Sequence, residues 1–311
     1  MEARLQRRIQ RYGWNLAAAR YEALWQTHLA AAQTALLEMA ALSPGEHVLD
    51  IACGTGLVTF AAAACVGQRG HVLGIDISEQ MVKAARHRSR ERAAAQTDFE
   101  RMDAEALDLP DANFDVVLCA LGLMYVPDPE KALREMRRVM RPGGRLVVAV
   151  WGRRERCAWS ALFPIVDAEV ASDVCPLFFR LGAMETLAGA CTGAGFEALD
   201  CLRLDATLVY ADADEACDAA FIGGPVALAW SRFDDTSRQR ARLRYLEALE
   251  PWRDGTSYRV PSEFVVVSAK PSNVPPSVPD QASPRDVLHN SARSVLCQRQ
   301  DDCDSVNHEA S

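Results

Sequence analysis

No run of about 18 uncharged apolar residues occurs in the 311-residue chain, so no membrane-spanning helix is expected. The opening MEARLQRRIQRYGW is charged and amphipathic, and no apolar core follows it, so no secretory signal is read there. There are ten cysteines but no CxxC pair, which argues against a zinc site of the usual spacing, and no metal is expected. Scattered through apolar segments, these thiols read as small hydrophobes in a reducing, cytoplasmic protein. Positive charge is not in excess: the net charge is -8, which disfavours a broad phosphate-binding surface and hence a nucleic-acid partner. No GK[ST] follows the glycines, which excludes a P-loop, and no internal repeat is visible.

What is present is a large apolar fraction, 49%, on a length suited to one α/β domain with appendages. Residues 1–42 read as a helical lid, with Leu16, Tyr21, Leu24, Trp25, Leu29, Leu36 and Leu37 near helical spacing and a break expected at Gly13 or Asn15. Residues 43–270 then alternate strand and helix. Short apolar strands are expected at His47–Ile51, His71–Ile75, Asp98–Met102, Phe114–Cys119 and Arg145–Trp151, the last after a turn at Arg141-Pro142-Gly143-Gly144. Ser78 is positioned to cap the helix that starts near Glu79. Continuous apolar strands separated by helices indicate a parallel sheet covered on both faces. Two further strands, Glu197–Val209 and Phe264–Ala269, follow helical insertions at 153–185 and 213–250. Residues 271–311 are rich in proline and serine without apolar periodicity, and read as a disordered tail.

The most informative segment is VLDIACGTG at 48–56. In an open α/β sheet, ligands bind beyond the carboxyl ends of the strands. Gly54 and Gly56 allow the chain to turn tightly and approach a ligand, and the helix beginning near Leu57 offers free N–H groups. Asp76, directly after the second strand, is suited to accept both hydroxyls of a ribose. The nicotinamide fingerprint GxGxxG is not met, because Thr59 stands in the third glycine slot.

In these motifs, in their order, and in the RPGG turn, the chain resembles the class I S-adenosylmethionine-dependent methyltransferases, in the branch of the ubiquinone and menaquinone ring methylases. The resemblance covers residues 45–151 by motif and 185–270 by layout. It implies a doubly wound α/β fold: a mostly parallel seven-stranded Rossmann-like sheet of order 3-2-1-4-5-7-6, with the last strand antiparallel. It implies S-adenosyl-L-methionine as cofactor. Asp50 would help hold the cofactor's amino group, and Ala52, Cys53, Gly54, Thr55 and Gly56 would wrap the methionine half, Ala52 standing where glycine is common. Ile77 and Met81 would lie by adenine or ribose, Asp103-Ala104 by the adenine amino group, and Cys119, Ala120 and Leu121 by the methionine half.

The acceptor is less marked. Tyr125 is the one candidate to orient a substrate oxygen, against a plain packing role. Tyr12, Trp14 and Tyr21 read either as an aromatic lid or as one buried helix face, and His28 as structural. Arg153, Arg154 and Arg156 read as a solvated loop or as a contact for an anionic substrate. Cys53, Cys119 and Cys175 invite comparison with arsenite methylation, although packing accounts for two of them. The amine-methylation motif of the Asp-Pro-Pro-Tyr kind is replaced by Cys119-Ala120-Leu121-Gly122. Residues 1–42, 153–185 and 213–250 are expected to gather over the carboxyl edge of the sheet as a cap. Their apolar content points to a small, partly apolar acceptor methylated at oxygen or carbon. The alternatives are a non-catalytic binding or regulatory protein on the same fold, or a nicotinamide oxidoreductase.

Overall fold

A computed structural model describes residues 3–170 and 178–272. Strands β1 (His47–Ile51), β2 (His71–Asp76), β3 (Thr97–Arg101), β4 (Phe114–Ala120) and β5 (Met140–Trp151) pair in parallel, with β1 between β2 and β4. The expected order holds: β8 (Ser257–Pro271) inserts antiparallel between β5 and β6 (Phe196–Tyr210). One addition was not expected. A two-residue strand, β7 (Arg253–Asp254), forms a hairpin with the start of β8, so the sheet has eight strands.

Alternation along the strands sorts the core onto two faces. Val48, Val72, Val116, Leu118, Val147 and Ala149 point one way, onto α2 (Leu57–Val66) and the carboxyl-terminal part of α1 (Ala3–Ala40). Leu49, Ile51, Ile75, Val117, Val148 and Val150 point the other way. There they meet α4 (Pro129–Val139), which offers Ala132, Leu133, Met136 and Val139 at helical spacing. Each valine, leucine, isoleucine or methionine among them is worth roughly 1.5–3 kcal/mol on burial. α3 (Glu79–Glu91) starts where Ser78 accepts the Met81 N–H, and α4 where Asp128 accepts that of Lys131.

Three elements differ from the sequence reading by more than a residue at either end. β5 begins at Met140, which pairs with Phe114; the ladder resumes at Val116–Arg145, so Arg141–Gly144 bulge out of the strand, with Gly143 at φ +81°. β8 is longer than its apolar run and ends at Pro271, opposite Phe196; the remainder of the expected tail, from 273 on, lies outside the described residues. Finally, α1 is one unbroken helix. Gly13 is buried and lies against Pro225 and Leu228, while the Asn15 carbonyl accepts from Ser78 Oγ at 2.7 Å and Gln80 N at 3.3 Å. Both residues that weaken a helix in isolation are here held by tertiary contacts.

The remaining helices, α5 (Leu162–Val170), α6 (Met184–Gly193), α7 (Ala213–Phe221), α8 (Ala227–Trp230) and α9 (Asp235–Leu249), come from the two insertions and the crossover into β6. α7 and α8 lie against α1, and α9 against α5 and α7. Among the described residues no helix is long and apolar enough to cross a membrane.

Candidate active site

Beyond the carboxyl ends of β1, β2 and β4 a pocket opens beneath α1. Its floor is Ala52, Gly54, Asp76, Ile77 and Met81; one wall is Met102, Asp103 and Ala104, and the other Ala120, Leu121, Gly122 and Tyr125. Arg7, Gln10, Trp14 and Tyr21 cover it.

The glycine loop is held by the acid that ends β2. Asp76 accepts the Gly54 N–H at 2.9 Å through one carboxylate oxygen and the Ser78 N–H at 2.8 Å through the other. Each oxygen keeps a lone pair for a further donor. Burial still pushes its pKa up to about 6, against those two N–H groups. Ala52 sits at φ +57° and Leu121 at φ +61°, left-handed conformations that cost an L-residue about 1 kcal/mol or more. The positive φ at Ala52 is why a glycine suits that position. The two loops touch: a Cβ on Gly122 would stand 2.3 Å from that of Ala52.

Other residues singled out from the sequence lie behind this lining. Asp50 is buried; Thr59 Oγ1 donates to its Oδ2 at 2.6 Å, and its Oδ1 has no partner. Burial raises its pKa to about 7, with neighbouring Asp76 adding to the shift. An orphaned carboxylate oxygen of this kind suits a ligand ammonium or amino group. Cys53 and Cys119 are buried thiols pushed upward by desolvation, Cys119 to about 12. Thr55 turns toward the lid, donating to Glu22 at 3.1 Å, and Gly56 packs against Phe60 and Phe99. Cys175 lies outside the described residues. Among the described residues no group of histidine, cysteine and carboxylate side chains could hold a metal.

The lid is latched at three points. Arg7 bonds the buried Glu105 and lies 3.3 Å from Asp103. Asn15 bonds the start of α3, as described, and Glu22 bonds both Thr55 and Arg88. Of the three aromatics proposed for it, Trp14 and Tyr21 line the pocket, with Trp14 edge-on to both Tyr21 and Tyr125 at 5.8 and 5.1 Å. Tyr12 faces outward, 45% exposed, beneath Arg11. His28 packs against Trp25 and Tyr210, and burial lowers its pKa. Arg156 pairs with the buried Glu263, whose carboxylate also accepts the Arg153 N–H. Arg7 and Gln10 escaped the sequence reading; their spacing with Trp14 and Tyr21, three to seven residues apart, marks one helix face.

A second cavity adjoins the first through shared walls: Trp14, Tyr21, Leu121 and Tyr125 line both. Its other walls are Trp25, Leu29, Met124, Trp151, Trp159, Gly224 and Pro225, with no charged side chain among them. The indole N–H groups of Trp25 and Trp159 are buried and unpartnered.

A doubly wound sheet with its last strand, β8, reversed between β5 and β6, a glycine loop after β1 and an acid at the end of β2 are the features of a class I S-adenosylmethionine-dependent methyltransferase. A family model described as a methyltransferase domain matches residues 42–176. The chain is 36% identical over 176 residues to a ubiquinone/menaquinone biosynthesis C-methyltransferase of Azotobacter vinelandii, covering 52% of this chain and 70% of that one. With the corresponding enzyme of Ectopseudomonas mendocina it shares 46% over 113 residues, 36% of this chain and 44% of that one. The chain belongs to the methyltransferase family that includes these enzymes, and with S-adenosylmethionine as cofactor it is an enzyme of methyl transfer. The fold is also that of YcgJ from Bacillus subtilis, at a TM-score of 0.56 and 16% identity over 79% of this chain and 100% of that one. SpnF, described as a 4+2 cyclase, matches at 0.55 and 22%, over 80% and 83%.

Proposed function

We propose that the enzyme transfers the methyl group to oxygen or carbon of a small, uncharged, partly apolar metabolite in the cytoplasm. The observation that carries this reading is the aromatic chamber beside the glycine-loop pocket, which offers no counter-charge to an ionic acceptor. An ion placed there would forfeit its hydration without compensation.

In this reading Asp76 receives the ribose hydroxyls while ordering the loop through Gly54. Asp50 takes the amino group on its open oxygen, with Cys53, Thr55, Gly56 and Cys119 shaping the loop from behind. Ala52, Gly54 and Ala120 border the methionine half. Ile77 and Met81 flank adenine and ribose, and Asp103-Ala104 close the adenine end. When bound, S-adenosylmethionine supplies an electrophilic sulfonium methyl. The chain then has to bring the acceptor into line and exclude water. Trp14 and Tyr21, shared by both cavities, separate the two ligands from solvent. Trp25 and Trp159 border the chamber, and their unpartnered N–H groups, turned inward, would donate to an acceptor's oxygen atoms, while Tyr125 stands at the junction to orient the oxygen nearest the methyl. The ubiquinone/menaquinone relatives support carbon as the methylated atom, and the neutral chamber supports a phenol- or quinol-like ring.

Calorimetry with S-adenosylmethionine and its demethylated product, followed by turnover across neutral phenols, quinols and amines, tests the reading. Binding of both cofactor forms and methylation confined to the neutral oxygenated rings is the expected result. Preferential methylation of charged amines would refute the acceptor assignment.

A further inference from the structure

The amino-terminal part of α1 carries two stripes on its solvent side. Arg4, Arg8 and Arg11 recur at i, i+4 and i+7, and Leu5, Tyr12 and Leu16 at i, i+7 and i+11 beside them. Leu5, Tyr12 and Leu16 are 38%, 45% and 50% exposed. The arginine stripe borders an open groove that Arg101 enters from the end of β3. Among the described residues no carboxylate pairs with Arg4, Arg8, Arg11 or Arg101; Arg7, beside them, is the one engaged by Asp103 and Glu105. Four uncompensated guanidinium groups on one face stand out in a chain of net charge -8.

We propose that this face docks on an anionic lipid surface. The charge selects a negative partner, and the apolar stripe selects a lipid surface over a soluble anion. A dissolved phosphate makes no use of exposed leucines, and Arg4 and Arg11 are about 10 Å apart along the helix, farther than one phosphate group reaches. A basic stripe with an adjoining apolar one is the pattern by which a helix lies in the headgroup layer. The groove shares Arg7, Ile77, Met102 and Asp103 with the cofactor pocket, so docking turns the pocket mouth toward the bilayer. An apolar acceptor held in the membrane then has a short path to the site. The inference stands apart from the acceptor assignment, since the pocket is complete without the groove.

Sedimentation of the full chain with vesicles tests it, comparing phosphatidylcholine alone with equal parts phosphatidylcholine and phosphatidylglycerol. Binding to the anionic vesicles only is expected, weakening at least tenfold from about 0.05 to about 0.5 M salt as the charges are screened. The Arg4→Gln/Arg8→Gln/Arg11→Gln variant should lose about 100-fold in affinity, near fivefold per arginine. Leu5→Ser/Leu16→Ser should weaken binding while leaving its salt dependence in place. Both variants should keep the parent melting temperature and cofactor affinity. Equal binding to neutral vesicles, undiminished binding by the arginine variant, or no binding at all would overturn the proposal. Calorimetric binding of pyrophosphate that the arginine variant abolishes, without vesicle binding, would make the groove a soluble-anion site instead.

Discussion

Thr59 donates its hydroxyl to Asp50 at 2.6 Å, and the far oxygen of the same buried carboxylate is left unpartnered. The threonine that fills the third glycine slot thus orients an acid under the cofactor loop. With Asp76 beside it, the site holds two carboxyl groups whose pKa values burial raises, to about 7 and about 6.

These shifts predict opposite pH dependences for stability and for binding. Between the ordinary carboxylate range and about pH 7, the folded protein keeps protons that the unfolded chain releases. The stability that these two acids contribute to the ligand-free protein should therefore fall as pH rises from about 4 to about 7, then level off, against the opposite contribution of buried His28, whose lowered pKa favours the folded state as pH rises. A ligand whose amino group and hydroxyls need the ionised acids should bind more tightly over the upper part of that window. Melting curves and calorimetry with the demethylated cofactor from about pH 5 to about pH 8 check both signs. Cofactor affinity that is indifferent to pH would remove Asp50 and Asp76 from the binding site.

Replacing Asp76 separates its two duties. Asp76→Ala removes the acceptor for Gly54 and Ser78 as well as the ribose contact, and should weaken cofactor binding at least tenfold, about 1.4 kcal/mol or more. Asp76→Asn keeps a carbonyl acceptor and should fall between parent and alanine variant. Turnover at saturating cofactor should change less than affinity. An unchanged dissociation constant for Asp76→Ala would contradict the ribose assignment.

Gly122→Ala tests the contact between the two loops. The added methyl must displace Ala52, itself held at positive φ, since the two Cβ atoms would stand 2.3 Å apart. A loss of about 1–3 kcal/mol in a urea titration is expected, with cofactor affinity falling in parallel. Stability and affinity both at parent levels would show the loops free to move apart.

Trp159→Phe removes a buried donor that has no partner in the protein. The smaller ring leaves a gap beside Trp151 and Phe163, but it also relieves an unmet polar group, which costs about 1–3 kcal/mol. The two effects oppose, so stability should change little. The KM for a phenolic acceptor should rise roughly tenfold with cofactor affinity unchanged, the loss of one hydrogen bond. An unaltered KM would assign the tryptophan to packing alone.

Much of the fold was legible in the sequence because strands buried on both faces announce themselves as short apolar runs. Val48–Ile51 and Leu146–Val150 are of that kind, and the glycine loop and Asp76 follow from the strands before them. β8 was only half visible: Ser257–Glu263 alternates polar and apolar residues along an antiparallel pairing with β6, but Pro261 interrupts the run, and only the continuous apolar stretch Phe264–Ala269 stood out. The break expected in α1 failed because Gly13 and Asn15 are satisfied by residues far along the chain, Pro225 and Ser78. The same holds for Glu22, Arg7 and Glu105, whose roles rest on partners that no local spacing reveals.

The unbroken α1 decides which end of the lid can move. Its carboxyl-terminal turns are pinned to the sheet through Leu36, Ala40 and the Arg145 guanidinium, so the helix cannot swing from its far end. Any opening above Trp14 and Tyr21 therefore falls to the amino-terminal half of the helix, where it breaks the contacts of Arg7, Asn15 and Glu22.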